Sequence, residues 1–210
     1  MKILFQGDSI TDFSRDRNDD SKLGTGYAHL VKCELGYEYP GEYEFINRGV
    51  SGNRIVDIYA RIGSDIINLK PDFMSLLVGI NDVWHDLLDS PNGVDGEKYY
   101  KIYDMLISEI KEKLPNIKIM IMEPFVLRCQ NSEEHWQFLR RETDIRSEKA
   151  RLIAKKYNLT FVPLQEGFDK FCRSEDATYW LSDGVHPTPM GHEYIKREWI
   201  KAFKAINGIG

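Results

Sequence analysis

Short apolar segments alternate along this chain with longer segments whose apolar residues recur every three or four positions. The short segments have the length and residue content of strands, and the longer ones have the period of helices that bury one face. This alternation predicts a parallel sheet covered by helices on both sides, because parallel neighbours need crossover connections. We expect strands at residues 2–6, 43–47, 73–78, 117–122 and 160–162.

Helices are expected where the apolar residues form stripes. Two stripes, at residues 99–114 and 194–206, repeat at three and four positions. A weaker stripe of Ile145, Leu152 and Ile153 lies on a strongly charged segment. Each stripe predicts the face with which its helix packs against the sheet.

The strand at residues 73–78 is apolar on both faces, which predicts a central position in the sheet. Residues 91–96 and 128–134 are expected to be loops rather than linkers, because strand and helix patterns resume on both sides. We therefore expect one domain over residues 1–210. Its expected fold class is α/β, with a five-stranded parallel sheet covered by helices on both faces.

Composition narrows the classes of partner. Of the 210 residues, 42% are hydrophobic and 29% are charged, as in ordinary globular proteins. The formal net charge is -5 and no dense run of Lys or Arg occurs, so we expect no nucleic-acid partner. No apolar segment approaches the ~18 residues that span a membrane. A small-molecule or oligosaccharide partner is expected, and a homo-oligomer is left open.

The cysteines and the N-terminus bear on the compartment. Cys33, Cys129 and Cys172 are an odd number without a CxxC pair, which favours reduced thiols over a disulfide framework or a zinc site. The apolar residues 3–5 are too few for the core of a signal peptide. We expect a cytoplasmic protein.

Two polar clusters follow the first two predicted strands, where parallel α/β sheets bind their ligands. In the segment from Gly7 to Thr11, Ser9 is placed to be an accessible nucleophile, or else Ser9 or Thr11 caps the next helix. Residues 47–53 contain glycines that let backbone N–H groups approach a ligand, or else form an ordinary turn that opens a helix.

Two further clusters carry an amide and a histidine. Asn81 follows the third strand and can donate to a developing oxyanion, or else serves as a helix N-cap. Pro187 holds His186 in an extended conformation, ahead of a helix start at Thr188. Asp183, three residues earlier, can reach one imidazole nitrogen and orient the ring. The alternative is a surface histidine beside an unrelated carboxylate.

These four clusters, in this order and over nearly the whole sequence, resemble the blocks of the GDSL or SGNH hydrolase family. The resemblance implies a three-layer α/β/α sandwich of flavodoxin-like type. It implies a serine esterase with the nucleophile Ser9 and the acid and base Asp183 and His186. It implies oxyanion donors at Ser9, at the Gly52 backbone N–H and at the Asn81 side chain. It implies no metal and no cofactor.

Local features bear on the substrate. Residues 23–27, 50–53 and 79–84 look most like the acetylxylan-esterase branch of that family. Trp84, three residues after Asn81, and Trp180, three residues before Asp183, are candidate substrate-binding residues, with core packing as the alternative. Tyr27 is a further candidate. No insertion is long and apolar enough for the cap of an interfacial lipase.

We therefore expect hydrolysis of small acyl esters, above all O-acetyl groups on xylo-oligosaccharides or related carbohydrates. A lysophospholipase or thioesterase acting on longer acyl chains is the first alternative. A flavodoxin-like nucleotide or flavin binder is a remote one, because the loop after the first strand has a single glycine and no lysine.

Overall fold

A computed structural model of the protein describes residues 1–173 and 176–209, apart from the side chain of residue 131. Within these residues one parallel sheet has the strand order β2-β1-β3-β4-β5. Every strand begins and ends within one residue of its predicted position, and β3 is central, as its apolar faces predict. The strands are β1 (Lys2–Gly7), β2 (Glu44–Asn47), β3 (Phe73–Leu77), β4 (Lys118–Met122) and β5 (Thr160–Val162).

Helices follow the strands as crossover connections. Short 3₁₀ or π turns also occur at His85–Leu87, Gln130–Ser132 and Gly63–Ile67. The helices are α1 (Ser9–Asp12), α2 (Tyr27–Glu38), α3 (Ile55–Ala60), α4 (Ile80–Trp84), α5 (Gly96–Lys113), α6 (Trp136–Lys156), α7 (Gln165–Phe171), α8 (Ala177–Trp180) and α9 (Pro189–Asn207).

Two hydrophobic cores lie on opposite faces of the sheet. Successive strand residues point to opposite faces, so Ile3 and Phe5 of β1 enter the core formed with α2, α7 and α9. Leu4 enters the other core, formed with α3, α5 and α6. The predicted three-layer α/β/α fold is confirmed.

An aromatic cluster joins α9 to the sheet. Trp199 stacks on Phe203 with ring centroids 4.9 Å apart and lies 5.3 Å from Phe5 and 5.6 Å from Phe73. All four rings are buried. Rings of this size contribute large apolar areas, with a further gain from edge and offset contacts.

The predicted stripe on α6 is wrong at two of its three positions. Ile145 and Leu152 are 36% and 40% exposed, and only Ile153 of the three is buried. The buried face instead includes Arg146, which is 1% exposed. Its Nε and Nη2 donate to the Val94 carbonyl at 3.1 and 2.7 Å. The apolar pattern does not include Arg146 in the buried face because a charged residue is expected to be exposed. An arginine whose charge is paired by hydrogen bonds can nevertheless be buried.

Among the helices of the described residues, none combines the length and the apolar character needed to cross a membrane.

The aromatic cluster gives a stability prediction. Trp199→Ala is expected to lower the free energy of unfolding by roughly 3–5 kcal/mol, because it leaves a cavity between α9 and the sheet. Met105→Ala, at a half-exposed position of α5, is the matched control and should stay within about 0.5 kcal/mol. Urea unfolding measures both, and equal losses would contradict the packing described.

Candidate active site

Residues from all four polar clusters meet at the carboxyl edge of the sheet. Gly7 at the end of β1 pairs with Leu77 at the end of β3, so α1 and α4 begin side by side. Beyond them lies a cavity of about 440 Å³. It is lined by Ser9, Ser51, Gly52, Ile80, Asn81, Trp84, Asp183, Val185 and His186.

Ser9 is placed by a tight turn between β1 and α1. A Cβ atom on Gly7 would lie 2.4 Å from the Leu77 carbonyl and from the Thr11 hydroxyl, so only glycine fits. Asp8 is the N-cap, and its Oδ1 accepts from the Ile10 N–H at 3.0 Å. Asp8, rather than Ser9 or Thr11, therefore caps α1. The Ser9 hydroxyl is left free to face the cavity.

A chain of hydrogen bonds joins Ser9, His186 and Asp183. His186 Nδ1 donates to Asp183 Oδ2 at 2.6 Å. A neutral ring protonated at Nδ1 has an acceptor at Nε2, and this atom accepts from Ser9 Oγ at 2.9 Å. The two ends of this contact are 177 residues apart in sequence.

The loop before α9 holds the histidine and its carboxylate. Asp183 Oδ1 accepts from the backbone N–H groups of Val185 and His186 at 2.9 and 2.7 Å. Thr188 is the N-cap of α9 with Pro189 at its first turn, as the sequence predicts. His186 is thus held on one side by the Asp183 carboxylate and on the other by the start of α9.

The pKa values of Asp183 and His186 are shifted in the directions that this hydrogen-bonded pair requires. Burial alone would raise the pKa of Asp183, but the His186 ring and the two backbone N–H groups outweigh it and lower that pKa to about 2. The hydrogen bond to Asp183 raises the pKa of His186 above its ordinary value of 6.5, although burial opposes the shift. An ionised carboxylate therefore orients an imidazole of increased basicity toward Ser9.

Two candidate oxyanion donors line the same cavity as Ser9. Gly52 has a φ of +81°, which favours glycine. Asn81 Nδ2 donates to the Asn53 carbonyl at 3.2 Å. The helix-cap interpretation of Asn81 is wrong, because Gly79 is the N-cap of α4 and no side chain caps it. The arrangement can bind a carbonyl oxygen beside an activated hydroxyl group.

The three candidate substrate-binding residues lie in different places. Trp84 lines the cavity. Trp180 stacks on Phe171 at 4.4 Å and lines a separate cavity formed with α9. Trp180 is not among the residues that line the catalytic cavity, although only two residues separate it from Asp183. Tyr27 is fully buried, and its hydroxyl bonds to Thr11 Oγ1 at 3.0 Å. Burial favours a packing role for Tyr27.

Sequence reasoning missed some residues of this region. Ser51, Ile80 and Val185 line the cavity as neighbours of motif residues, and that adjacency was the available signal. Burial raises the pKa of Asp8 to about 7, against the Ile10 N–H and the nearby His186, which lower it. Among the described residues, no group of three His, Cys, Asp or Glu is arranged to hold a metal ion.

Known proteins are similar to this chain in sequence. Residues 5–194 match the model of the GDSL-like lipase/acylhydrolase family. An acetylxylan esterase of Geobacillus stearothermophilus is 33% identical over 207 residues, which cover 95% of this chain and 92% of that protein.

Solved structures show the same fold. A GDSL-like lipase from Parabacteroides merdae aligns with a TM-score of 0.90 and 36% identity, covering 96% of this chain and 94% of the other. A structure of the Geobacillus acetylxylan esterase aligns with a TM-score of 0.85 and 31% identity, covering 96% and 93%. Structures of that esterase include catalytic mutants in which an aspartate, a serine or a histidine is replaced by alanine.

The basicity of His186 gives a pH prediction for ester hydrolysis. The ring must be neutral to accept a proton, so the rate should fall with decreasing pH through a midpoint above 6.5. Asp183→Asn should move this midpoint to lower pH and lower kcat roughly 10³- to 10⁴-fold, because it removes the hydrogen-bonding carboxylate. Asp89→Asn, at an exposed position, is the control. An unmoved midpoint in Asp183→Asn would contradict the assigned pair.

A second histidine predicts acid sensitivity of the fold. His192 is buried and its Nδ1 accepts from the Tyr27 N–H at 3.1 Å. Burial lowers its pKa from 6.5 to about 3. Below pH 6.5 the unfolded chain binds a proton that the folded chain does not, so this group lowers stability by about 1.4 kcal/mol per pH unit as the pH falls toward 3.

His192→Gln should make stability depend less on pH between 6.5 and 3, since a glutamine oxygen can accept from Tyr27 without titrating. Urea unfolding at several pH values measures the slope. The same slope in the variant and the wild type would show that His192 is not the source.

Proposed function

The chain belongs to the GDSL-like lipase/acylhydrolase family and is a carboxylic ester hydrolase, and we propose that it cleaves small acyl esters through a covalent intermediate on Ser9. One observation carries this proposal. The hydrogen-bonded series Ser9, His186 and Asp183 opens on the cavity that also contains Gly52 and Asn81.

In the proposed acylation step, His186 Nε2 takes the Ser9 proton as Oγ attacks the ester carbonyl carbon. The tetrahedral intermediate collapses, the bond from carbon to the alcohol oxygen breaks, and His186 returns the proton to that oxygen. In deacylation, water attacks the acyl-enzyme while His186 takes its proton. The carboxylic acid leaves, and Ser9 recovers its proton.

Three donors are proposed to stabilise the negative oxygen of each intermediate: the backbone N–H groups of Ser9 and Gly52 and the Asn81 amide. One such donor typically contributes about 3 kcal/mol to transition-state stabilisation, because it is oriented before charge develops. Asp183 keeps the ring in the required tautomer and stabilises it when protonated.

The residue pattern of a relative supports these roles. In the Geobacillus acetylxylan esterase, the replaced aspartate and histidine of the catalytic mutants are three positions apart, as are Asp183 and His186. A serine is the third replaced residue. We assign Ser9, Asp183 and His186 the corresponding roles.

For the acyl group we propose acetyl. Trp84, Ile80 and Val185 form the apolar part of the cavity wall, enough to contact a short acyl chain. The relative is described as an acetylxylan esterase and as an acetyl-xylooligosaccharide esterase. We propose acetylated xylo-oligosaccharides or related carbohydrates as the substrate class.

The relative and this chain differ at the position directly before the aspartate. In the relative, the residue directly before the aspartate is a tryptophan that was replaced in one solved structure. This chain has Ser182 at the position before Asp183. We therefore infer the sugar from the overall similarity to the acetylxylan esterase. We infer the acetyl group from the apolar residues of the cavity wall.

The nucleotide-binding alternative finds no support in the first loop. A phosphate would need free N–H groups at the start of α1. Asp8 already accepts from these groups, with its side chain from Ile10 and with its carbonyl from Thr11 and Asp12. Its carboxyl group also occupies the position that an anion would take.

Activity on chromogenic esters tests the proposal. Ser9→Ala should abolish hydrolysis of p-nitrophenyl acetate without loss of the fold, because no other group replaces the nucleophile. Ser64→Ala, an exposed serine away from the cavity, is the control. For the wild type, kcat/KM for the acetyl ester should exceed that for the octanoyl ester by about tenfold or more.

Retention of most activity by folded Ser9→Ala would overturn the nucleophile. A preference for octanoyl would instead leave the mechanism in place and favour the lysophospholipase or thioesterase alternative. Release of acetate from acetylated xylo-oligosaccharides then tests the sugar.

A further inference from the structure

The loop that carries Gly52 is not held in place by Gly52 itself. A Cβ atom built on this residue would meet no other atom within 4 Å. Its φ of +81° favours glycine, but this backbone angle does not bind the residue to any neighbour. The position of its N–H group must therefore be determined by the residues on each side, Ser51 and Asn53 to Ile55.

The residue before Gly52 is bound by a buried carboxylate. Asp12, the last residue of α1, is 5% exposed. Its Oδ2 accepts from both the backbone N–H and the hydroxyl of Ser51, each at 3.0 Å. The same oxygen accepts from Arg17 Nη2 at 2.9 Å. Because α1 begins at Ser9, one four-residue helix connects the nucleophile to the loop.

The loop also lies directly against α1 before it reaches Ser51. A Cβ atom on Gly49 would lie 2.3 Å from the Asp12 backbone nitrogen, so only glycine allows this approach. Asn47 Nδ2 donates to the Thr11 carbonyl at 2.6 Å. These contacts place the loop on α1, and Asp12 bonds Ser51, the residue that directly precedes Gly52.

The residues after Gly52 are bound to α4, the helix that carries Asn81. Asn81 Nδ2 donates to the Asn53 carbonyl at 3.2 Å. Both carboxyl oxygens of the fully buried Asp82 lie 3.1 and 3.2 Å from the Ile55 N–H. The short segment around Gly52 is thus anchored by a carboxyl group on each side.

The charge of Asp12 suits this role. A carboxylate only accepts hydrogen bonds, so one oxygen can serve the three donors from Ser51 and Arg17. Arg17, and Arg15 with its Nε 4.0 Å from Oδ1, supply opposite charge. An asparagine would place an N–H donor toward one of these partners and loosen the loop.

We propose that Asp12 is a positioning residue for catalysis: through Ser51 it sets the Gly52 N–H against Ser9. Asp12 is not among the residues that line the cavity. The inference depends on the proposed function, because it assumes that Gly52 is an oxyanion donor. It adds a residue outside the triad and outside the three oxyanion donors.

Steady-state kinetics on p-nitrophenyl acetate test this role. Asp12→Asn should lower kcat about 10- to 100-fold, since a displaced donor loses transition-state stabilisation, while KM stays within about twofold. Affinity for a boronic acid, which forms a tetrahedral adduct on the serine, should weaken by the same factor as kcat. If Asp12 only stabilised the fold, the loss in kcat would not be matched by an equal loss of affinity for the boronic acid.

Matched variants isolate the contact to Ser51. Asp20→Asn is the control, because Asp20 accepts from Arg48 at 2.6 Å without bonding the Gly52 segment, and its kcat should be unchanged. Ser51→Ala removes the hydroxyl but keeps the backbone N–H, so it should lower kcat by a smaller factor than Asp12→Asn. The double variant Asp12→Asn/Ser51→Ala should lose little more than Asp12→Asn alone.

A folded Asp12→Asn with kcat within twofold of wild type would overturn the inference, and so would fully additive losses in the double variant. If Asp12→Asn does not fold, Ser51→Ala decides: a lowered kcat at constant KM supports the role, and an unchanged kcat overturns it. Failure of the proposed function is recognised separately, by activity that survives Ser9→Ala.

Discussion

The parallel pairing of β1 with its two neighbours determines where the chemical groups of this protein lie. Gly7 is opposite Leu77 of β3, and Phe5 is opposite Asn47 of β2. Three segments that follow these strands therefore leave the sheet at the same edge. A slip of one residue would move the strand side chains to the wrong core. The two hydrophobic cores thus fix the register, and the register assembles the site.

The histidine reaches this edge from the other end of the chain. It depends on α9, whose Trp199 and Phe203 pack against Phe5 and Phe73 at the centre of the sheet. This packing fixes the start of α9, and His186 lies three residues before that start. The contact between Ser9 and His186 is therefore supported by packing far from the chemistry, as pre-organised sites require.

Much of the fold could be predicted because the strands of a covered parallel sheet are buried on both faces and read as apolar runs. Ser9, Gly52 and Asn81 could be placed at the carboxyl edge because their motifs follow those strands. Asp183 and His186 could be placed on a loop because of Pro187 and the helix start at Thr188. The buried face of α6 could not be predicted, since Arg146 is paired there with the Val94 carbonyl and Glu142, partners that no periodicity shows. The positions of Trp180 and Tyr27 outside the cavity lining could not be predicted either. Nearness in sequence says nothing about which side of a loop or helix faces the cavity.

Three buried aspartates show what sequence leaves hidden. Asp8, Asp12 and Asp82 each accept from a backbone N–H at the edge of the site. Burial raises the pKa of Asp8 and of Asp82. A linear sequence distinguishes none of them from a solvated surface carboxylate. Their roles emerge only when the loops they bind are seen together.

Covalent reaction at Ser9, activated by His186, can be measured with a fluorophosphonate and mass spectrometry of the digested protein. We expect a single adduct on the peptide that contains Ser9, formed at a rate that His186→Ala reduces by orders of magnitude. Stable labelling of another residue, or labelling of Ser9 at an unchanged rate without His186, would contradict it.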